Sequence, residues 1–187
     1  MQKNASDLVS LVLGGVRSGK SDYAQQLAER ARDVVFIATG SAEDEEMRSR
    51  IDRHRAERPA HWRTVEEPLE LAAAIRSFAP SVDLILIDCL TFFAATLLEH
   101  CANNPATLDA HIEGLCAALI APPCTVVLVS NEVGSGVVPP YPLGRQYRDL
   151  LGDINQRVAR VATEVVLMVA GIPLPLKPSS GIPGLIR

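Results

Sequence analysis

An eight-residue segment near the start of the chain has residue types and spacing suited to phosphate chemistry. It reads Gly-Gly-Val-Arg-Ser-Gly-Lys-Ser from Gly14 to Ser21 and matches G-x-x-x-x-G-K-[ST] at every defined position. Its glycines let backbone N–H groups curl around phosphate oxygens. Lys20, the predicted catalytic residue of the segment, places its positive charge at the β- and γ-phosphates, and Ser21 offers a hydroxyl to Mg²⁺. The predicted nucleotide-binding residues, which form the phosphate loop, are Gly14, Gly15, Val16, Arg17, Ser18, Gly19, Lys20 and Ser21.

Chance is the competing explanation for this match. With glycine at about 7% of residues, the four fixed positions coincide in roughly one chain per hundred or fewer. The match also stands between an apolar run, Val9 to Leu13, and a stretch of good helix formers, Ser21 to Ala31. A strand before the loop and a helix after it are the context that the motif requires, so we favour a nucleotide site over coincidence.

Asp88 is the natural second half of such a site. It directly follows the apolar run Leu84 to Ile87, and an acidic residue after a buried strand helps to hold Mg²⁺ in nucleotide hydrolases with this loop. The pattern alone is common, but together with the loop it predicts a metal role for Asp88 and Ser21. Thr91, three residues later, either caps the next helix or touches the ligand.

A basic segment in the first half of the chain has two interpretations. Arg50, His54 and Arg58 lie four residues apart, so in a helix they stand one above the next, with His54 close to an apolar stripe that includes Ile51. In one interpretation this is a solvated basic helix in which Glu46 pairs with Arg50 and His54 packs inside. In the other, the arginines hold triphosphate oxygens while His54 acts on phosphorus. The residue pattern leaves both open.

Three further polar groups also have two interpretations each. The Glu66–Glu67 pair before a proline is either the acidic first turn of a helix or part of a site. The Asn131–Glu132 pair, followed by two nearby glycines, either contacts substrate or forms a plain turn. Arg145 and Arg148 are either a phosphate clamp or a solvated helix face.

The elements that must position these residues alternate between extended and helical patterns. We predict strands at Val9–Leu13, Val34–Ala38, Trp62–Val65, Leu84–Ile87, Thr125–Val129 and Val165–Val169, and an edge strand at Gly171–Lys177. We predict helices at Ser21–Ala31, Asp44–Arg58, Leu69–Phe78, Thr91–His100, Leu108–Ile120 and Gly144–Thr163, with a long loop at Val133–Pro142.

This alternation predicts an α/β fold with a mostly parallel central sheet and helices on both faces. Ligands of such sheets bind at the carboxyl ends of the strands, and one cleft there would collect Gly14, Thr39, Asp88 and Asn131. Residues 9–177 are expected to form a single nucleotide-binding catalytic domain. Residues 1–8 are expected to be a disordered lead-in, and residues 178–187 a flexible tail.

Composition narrows the class of protein. The 187 residues are 48% apolar and carry a formal net charge of −4, which argues against a nucleic-acid partner. The four cysteines form no C-x-x-C pair and match no zinc pattern, so reduced thiols are expected. The start of the chain lacks the apolar core of a signal peptide, and no apolar run reaches membrane-spanning length. A cytoplasmic protein without a membrane span is therefore expected.

Several segments together resemble one family, the bifunctional adenosylcobinamide kinase / adenosylcobinamide-phosphate guanylyltransferase of cobalamin biosynthesis. The most specific are R-I-x-x-H-x-x-x-R-P-x-x-W from Arg50 to Trp62 and N-E-V-G-x-G-V-V-P from Asn131 to Pro139. The resemblance runs from about Leu11 to Lys177. Two departures are a longer lead-in and tail, and Arg53, which stands where some relatives have a second histidine.

The resemblance implies two reactions in a RecA-like P-loop fold that tends to assemble as a homotrimer. The first phosphorylates adenosylcobinamide with ATP or GTP. The second transfers GMP from GTP to adenosylcobinamide phosphate through a guanylylated histidine, giving adenosyl-GDP-cobinamide and pyrophosphate. The family's histidine falls on His54. Besides the phosphate loop, the implied nucleotide contacts are Ala38, Thr39, Gly40, Arg55, Ala56, Glu57, Arg58, Glu66 and Asp88.

Two alternatives belong to other functional classes. An ordinary P-loop small-molecule kinase accounts for the phosphate loop and Asp88 but leaves the arginine-rich segment unexplained. A non-enzymatic nucleotide switch would need a base-specificity motif such as N-K-x-D, which the sequence lacks. Release of pyrophosphate from GTP in the presence of a corrinoid separates the three.

Overall fold

The computed structural model describes residues 8–40, 59–78 and 82–178. Within these ranges the chain forms seven strands and five helices. The strands are β1 Val9–Gly14, β2 Val34–Ala38, β3 Arg63–Glu66, β4 Leu84–Asp88, β5 Thr125–Asn131, β6 Glu164–Val169 and β7 Ile172–Lys177. The helices are α1 Lys20–Ala28, α2 Leu71–Ser77, α3 Leu90–Cys101, α4 Pro105–Ile120 and α5 Pro142–Val161.

The seven strands form one sheet in the order β3-β2-β4-β5-β1-β6-β7. Every neighbouring pair is parallel except β6 and β7, which are antiparallel. The predicted mostly parallel sheet is therefore confirmed, and so is the edge strand that carries prolines. The order places β5 between β1, which leads into the phosphate loop, and β4, which ends in Asp88.

Apolar side chains cover both faces of the sheet, as the continuous apolar strands predict. On one face, strand residues pack against helices α2 to α5, with Phe93 and Ile112 fully buried among them. On the other face, α1 packs through Ala24 and Ala28, and Trp62 lies in the same cluster. Because these strands are parallel neighbours, the carboxyl ends of β1, β2, β4 and β5 lie at one edge of the sheet, which we call the carboxyl edge.

Two helix boundaries differ from the predicted ones for identifiable reasons. Helix α1 ends at Ala28 and not Ala31, because the Asp83 carboxylate accepts the backbone N–H groups of Arg32 and Asp33, each at 3.1 Å, and turns the chain toward β2.

Helix α4 begins at Pro105, three residues before the predicted start. The Asn104 side chain accepts the backbone N–H of Thr107 at 3.2 Å, and proline is favoured in a first turn. The Asn-Pro dipeptide was a readable start signal that the sequence interpretation overlooked.

Some predicted features fall outside the described ranges. They are the helix at Asp44–Arg58, residues 1–7 of the lead-in, and the tail after Pro178. Among the helices that the structure does describe, none combines the length and apolar content needed to cross a bilayer.

Candidate active site

The phosphate loop joins β1 to α1, and its two motif glycines are required by space and conformation. A Cβ on Gly14 would lie 2.5 Å from Ser18 Oγ and 2.6 Å from the Met168 carbonyl oxygen, far inside van der Waals contact. Gly19 has a φ of 90°, in the left-handed region that favours glycine. An added Cβ there would also lie 3.3 Å from Gly171 Cα.

The loop is held in shape by its own backbone and by a neighbouring turn. The backbone N–H of Ser18 donates to the Gly15 carbonyl at 3.3 Å, and the N–H of Gly171 donates to the Ser18 carbonyl at 3.0 Å. Gly171 lies in the turn between β6 and β7. Val16, at the tip of the loop, is 80% exposed. The loop is thus anchored at its base while its tip remains open.

The Lys20 side chain folds back over this loop. Its Nζ donates to the Gly15 carbonyl oxygen at 2.6 Å, and only 9% of the residue is exposed. Burial lowers the pKa of Lys20 from its ordinary value, while nearby negative charge, including that of Asp88, opposes the shift. The ammonium therefore lies beside the loop backbone that the motif assigns to the phosphates, where its charge can act on them.

Ser21 and Asp88 meet at the carboxyl edge, as the sequence predicts for a metal-binding pair. The Ser21 hydroxyl donates to Asp88 Oδ2 at 3.1 Å. A hydroxyl and a carboxylate are the hard oxygen ligands that Mg²⁺ prefers, and Mg²⁺ usually takes its other ligands from phosphates and water. The pair therefore fits this ion. Among the described residues, no group of three or more histidine, cysteine or acidic side chains is arranged to hold a metal.

The ends of β2 and β3 lie beside Asp88 in the sheet. Ala38 pairs with Asp88 on one side and with Glu66 on the other. The Thr39 hydroxyl donates to the Cys89 carbonyl at 2.6 Å and accepts the Cys89 N–H at 2.8 Å. That hydroxyl therefore ties β2 to β4. Ala38, Thr39 and Glu66 thus lie at the carboxyl edge, where a nucleotide is expected to bind. Their contacts with nucleotide remain predictions.

Gly40 and Glu67 lie just beyond the ends of β2 and β3. A Cβ on Gly40 would lie 3.1 Å from the Phe92 ring, so the chain passes close over that side chain as it leaves β2. The Glu67 carboxylate accepts the backbone N–H groups of Leu69 and Glu70 at 3.1 and 2.8 Å. For Glu67 the structure therefore favours the structural interpretation, because its carboxylate stabilises the turn that precedes α2.

At the end of β5, the backbone is connected to three other elements. Asn131 pairs with Gly14, and the Glu132 N–H donates to the Gly14 carbonyl at 3.0 Å. The Asn131 N–H donates to Thr91 Oγ1 at 3.2 Å, and its carbonyl accepts Asn155 Nδ2 at 3.0 Å. The Thr91 hydroxyl thus supports β5, and α3 begins without a side-chain cap.

Sequence interpretation missed the residues of α5 and β5 that brace this corner. Asn155 is 6% exposed, and its Oδ1 accepts the Ser130 hydroxyl at 2.6 Å. The Tyr147 hydroxyl donates to the Thr91 carbonyl at 3.3 Å, and burial raises the pKa of Tyr147 to about 12. A signal for Asn155 existed, because this amide interrupts the apolar stripe of Leu151, Ile154 and Val158.

The two arginines at the start of α5 behave differently. Arg145 Nη1 donates to the carbonyl oxygens of Pro139 and Pro140, at 3.0 and 2.9 Å, and so closes the loop before the helix. Arg148 Nη1 is buried without a hydrogen-bond partner among the described residues. Arg145 thus has a structural role, and for Arg148 both a phosphate clamp and a structural role stay open.

The remaining predicted site residues are His54, Arg55, Ala56, Glu57 and Arg58. They lie outside the described residues, so their roles stay predictions. The segment that carries them follows Gly40, directly after β2 at the carboxyl edge.

Comparison with known proteins gives a consistent picture. Residues 10–176 match the family model described as cobinamide kinase / cobinamide phosphate guanyltransferase. A relative from Pseudomonas aeruginosa, named bifunctional adenosylcobalamin biosynthesis protein CobP, is 49% identical over 168 residues, covering 89% of this chain and 96% of the relative. The proteins named CobU of Escherichia coli and Salmonella typhimurium are 40% and 41% identical, each covering 91% of this chain and 100% of the relative.

One solved structure shares the fold at low sequence identity. It comes from a study of a prototypical ATPase of the type III secretion system of pathogenic bacteria, with a TM-score of 0.57 and 12% identity. The match covers 86% of this chain and about half, 51%, of that chain. At this identity the likeness shows the P-loop α/β fold and nothing about substrate.

Proposed function

This chain belongs to the cobinamide kinase / cobinamide phosphate guanyltransferase family, and we infer from the site that its two reactions run as follows. In the kinase reaction, the γ-phosphate of ATP or GTP passes to the aminopropanol hydroxyl of adenosylcobinamide. In the transferase reaction, GMP from GTP joins that new phosphate, giving adenosyl-GDP-cobinamide and pyrophosphate.

One observation supports the kinase reaction most directly: the Lys20 ammonium and the Ser21–Asp88 pair lie at the same loop–helix junction. Phosphoryl transfer needs little covalent chemistry from the protein and depends on positioning and on stabilising charge. Loop N–H groups would orient the triphosphate, and Lys20 would offset the charge that develops on the β–γ bridging oxygen as that bond breaks. Ser21 and Asp88 would hold Mg²⁺, which supplies further charge neutralisation at the phosphates when bound.

The transferase reaction is assigned to His54 on the strength of the family motif. An imidazole nitrogen attacks the α-phosphorus of GTP, pyrophosphate leaves, and a P–N bond to GMP forms. The phosphate of adenosylcobinamide phosphate then attacks that phosphorus and releases the histidine. Covalent catalysis of this kind divides one difficult transfer into two easier steps.

Mass analysis of the corrinoid tests the two reactions separately. With ATP as the only nucleotide, adenosylcobinamide should gain one phosphate and no more. Addition of GTP should then add a GMP unit with release of pyrophosphate. If the corrinoid keeps its mass under both conditions, the assignment is wrong. If it gains only the phosphate when GTP is present, the protein is a kinase without transferase activity.

Asp88→Asn is expected to lower kinase activity by about a hundredfold at low Mg²⁺ and to recover part of that loss at high Mg²⁺. The amide keeps the size of the side chain but removes the charge that helps to hold the ion. A Mg²⁺ titration of initial rates measures the shift. Asp22→Asn is the matched control, because Asp22 is an exposed acidic residue in the first turn of α1 next to Ser21.

For Asp22→Asn we expect a wild-type Mg²⁺ titration. If Asp88→Asn also titrates like wild type, Asp88 has a structural role and not a metal role.

The homotrimer implied by the family resemblance is our proposal for the assembly. Strand β7 supports an interface, because its apolar side chains Ile172, Leu174 and Leu176 are 69, 51 and 55% exposed at the sheet edge. Multi-angle light scattering is expected to give three times the chain mass at micromolar concentration. A stable monomer under those conditions would contradict the proposal without affecting the catalytic assignment.

A further inference from the structure

Asn131 lies between the two parts of the nucleotide site. Because β5 is inserted between β1 and β4, its last residue has the phosphate loop on one side and the strand of Asp88 on the other. Asn131 pairs directly with Gly14, the first residue of that loop. A side chain at this position is therefore next to the phosphate loop when it lies on the face of the sheet that α1 covers.

The pleat of β5 places the Asn131 side chain on the nucleotide face. Val129 pairs with Asp88 and packs in the cluster of α1, so Val129 and Asp88 share that face. Asn131 is two residues beyond Val129 and, by alternation, points the same way. Ser130 confirms the alternation, because its hydroxyl reaches Asn155 of α5 on the opposite face.

The backbone of Asn131 is fixed by hydrogen bonds to two helices. Thr91 of α3 accepts its N–H, and Asn155 of α5 donates to its carbonyl. The half-buried side-chain amide makes no hydrogen bond with any described residue. Two helices thus contribute polar side chains, Thr91 and the buried Asn155, that position the backbone of Asn131 and leave its amide without a partner among the described residues.

We propose that the Asn131 amide N–H donates to a γ-phosphate oxygen of the bound nucleotide and stabilises the charge that this phosphate carries during the kinase reaction. The inference rests on the proposed kinase function and adds a contact to it. In the transfer, the acceptor hydroxyl oxygen bonds to the γ-phosphorus, the bond to the β–γ bridging oxygen breaks, the nucleoside diphosphate leaves, and the hydroxyl proton ends in solvent. The neutral amide donates throughout and exchanges no proton.

A comparison of two nucleotides tests the contact without using activity. Isothermal titration with Mg²⁺ would measure binding of ADP and of a non-hydrolysable ATP analogue that keeps the γ-phosphate. Hydrogen bonds to charged groups are strong enough that Asn131→Ala should weaken the analogue about tenfold or more while leaving ADP within about twofold. Asn131→Asp should weaken the analogue further than alanine does, because it sets a negative charge against the γ-phosphate. Kinase kcat should fall about a hundredfold in Asn131→Ala.

The control removes an amide that has no such position. Gln156 is exposed on α5, one residue after Asn155, and Gln156→Ala should bind both nucleotides like wild type. Should Asn131→Ala fail to fold, Asn131→Asp keeps the shape and both backbone hydrogen bonds, and the same comparison decides.

Equal weakening of ADP and the analogue, or no weakening of either, would overturn the inference. Wild-type protein that binds neither nucleotide would instead reject the proposed function itself, and this contact with it.

Discussion

Lys20→Ala is expected to reduce kinase activity by at least about a hundredfold while leaving the protein folded. The loss follows from removing the positive charge that offsets the charge on the β–γ bridging oxygen as the γ-phosphate departs. The fold should persist because the ammonium makes a single hydrogen bond among the described residues, to a loop carbonyl. Phosphorylation of adenosylcobinamide with ATP gives the activity, and thermal denaturation gives the stability.

Stability provides the internal control for this substitution. Burial disfavours the charged form of Lys20, as its lowered pKa indicates. Losing the ammonium therefore removes the free-energy cost of burying a charge as well as one hydrogen bond. Lys20→Met, which keeps the apolar stem, should therefore melt close to wild type and be as inactive as the alanine variant. Near-wild-type turnover in either variant would refute the assignment of the phosphate loop.

His54→Ala is expected to abolish guanylyl transfer and retain at least part of the kinase activity. Replacing a covalent nucleophile costs at least about a thousandfold, whereas the phosphate loop is untouched by this change. An ordinary imidazole has a pKa near 6.5 and is largely neutral, hence nucleophilic, at pH 7. Wild-type protein incubated with GTP and Mg²⁺ but no corrinoid should therefore gain the mass of one GMP unit, and His54→Ala should not.

The chemistry of the adduct gives independent checks. Label should enter from α-labelled GTP and not from γ-labelled GTP, because pyrophosphate leaves with the γ-phosphate. The adduct should be labile in acid and stable in alkali, as a phosphoramidate is. His61→Ala is the matched control, since His61 is exposed just before β3 and carries no assigned role. An adduct that persists in His54→Ala, or that is lost only in His61→Ala, would show that His54 is the wrong nucleophile.

The phosphate loop was predictable because its chemistry and its structure are both local. The spacing of Gly14, Gly19 and Lys20 is set within one turn of chain, and the clash that a Cβ on Gly14 would cause explains why the motif needs glycine there. The approach of Ser21 to Asp88 was also predictable, because parallel strands deliver their carboxyl ends to a shared edge. The structure shows the loop between β1 and α1 and the hydrogen bond from Ser21 to Asp88, and the roles of these residues in binding phosphate and Mg²⁺ stay predictions.

The support of the β5 end was not predictable in the same way. That β5 lies between β1 and β4 is a property of strand order, which no local pattern encodes. Asn131 could therefore be placed at the carboxyl edge but not beside Gly14, and its two interpretations stayed open. Asn155 accepts the Ser130 hydroxyl and donates to the Asn131 carbonyl, and both partners lie about 25 positions earlier in the chain. Such contacts become visible only when the helix is docked on the sheet.

A double-label experiment with GTP as the only nucleotide tests most directly whether one chain performs both transfers on one corrinoid. Purified protein, Mg²⁺ and adenosylcobinamide are incubated with GTP labelled at the α-phosphate in one vessel and at the γ-phosphate in another, and the isolated corrinoid product is counted. The account predicts both labels in the product in equal molar amounts, because the kinase step delivers the γ-phosphate and the transferase step delivers the α-phosphate with GMP. A product that carries γ-label alone, or no label, would contradict the claim.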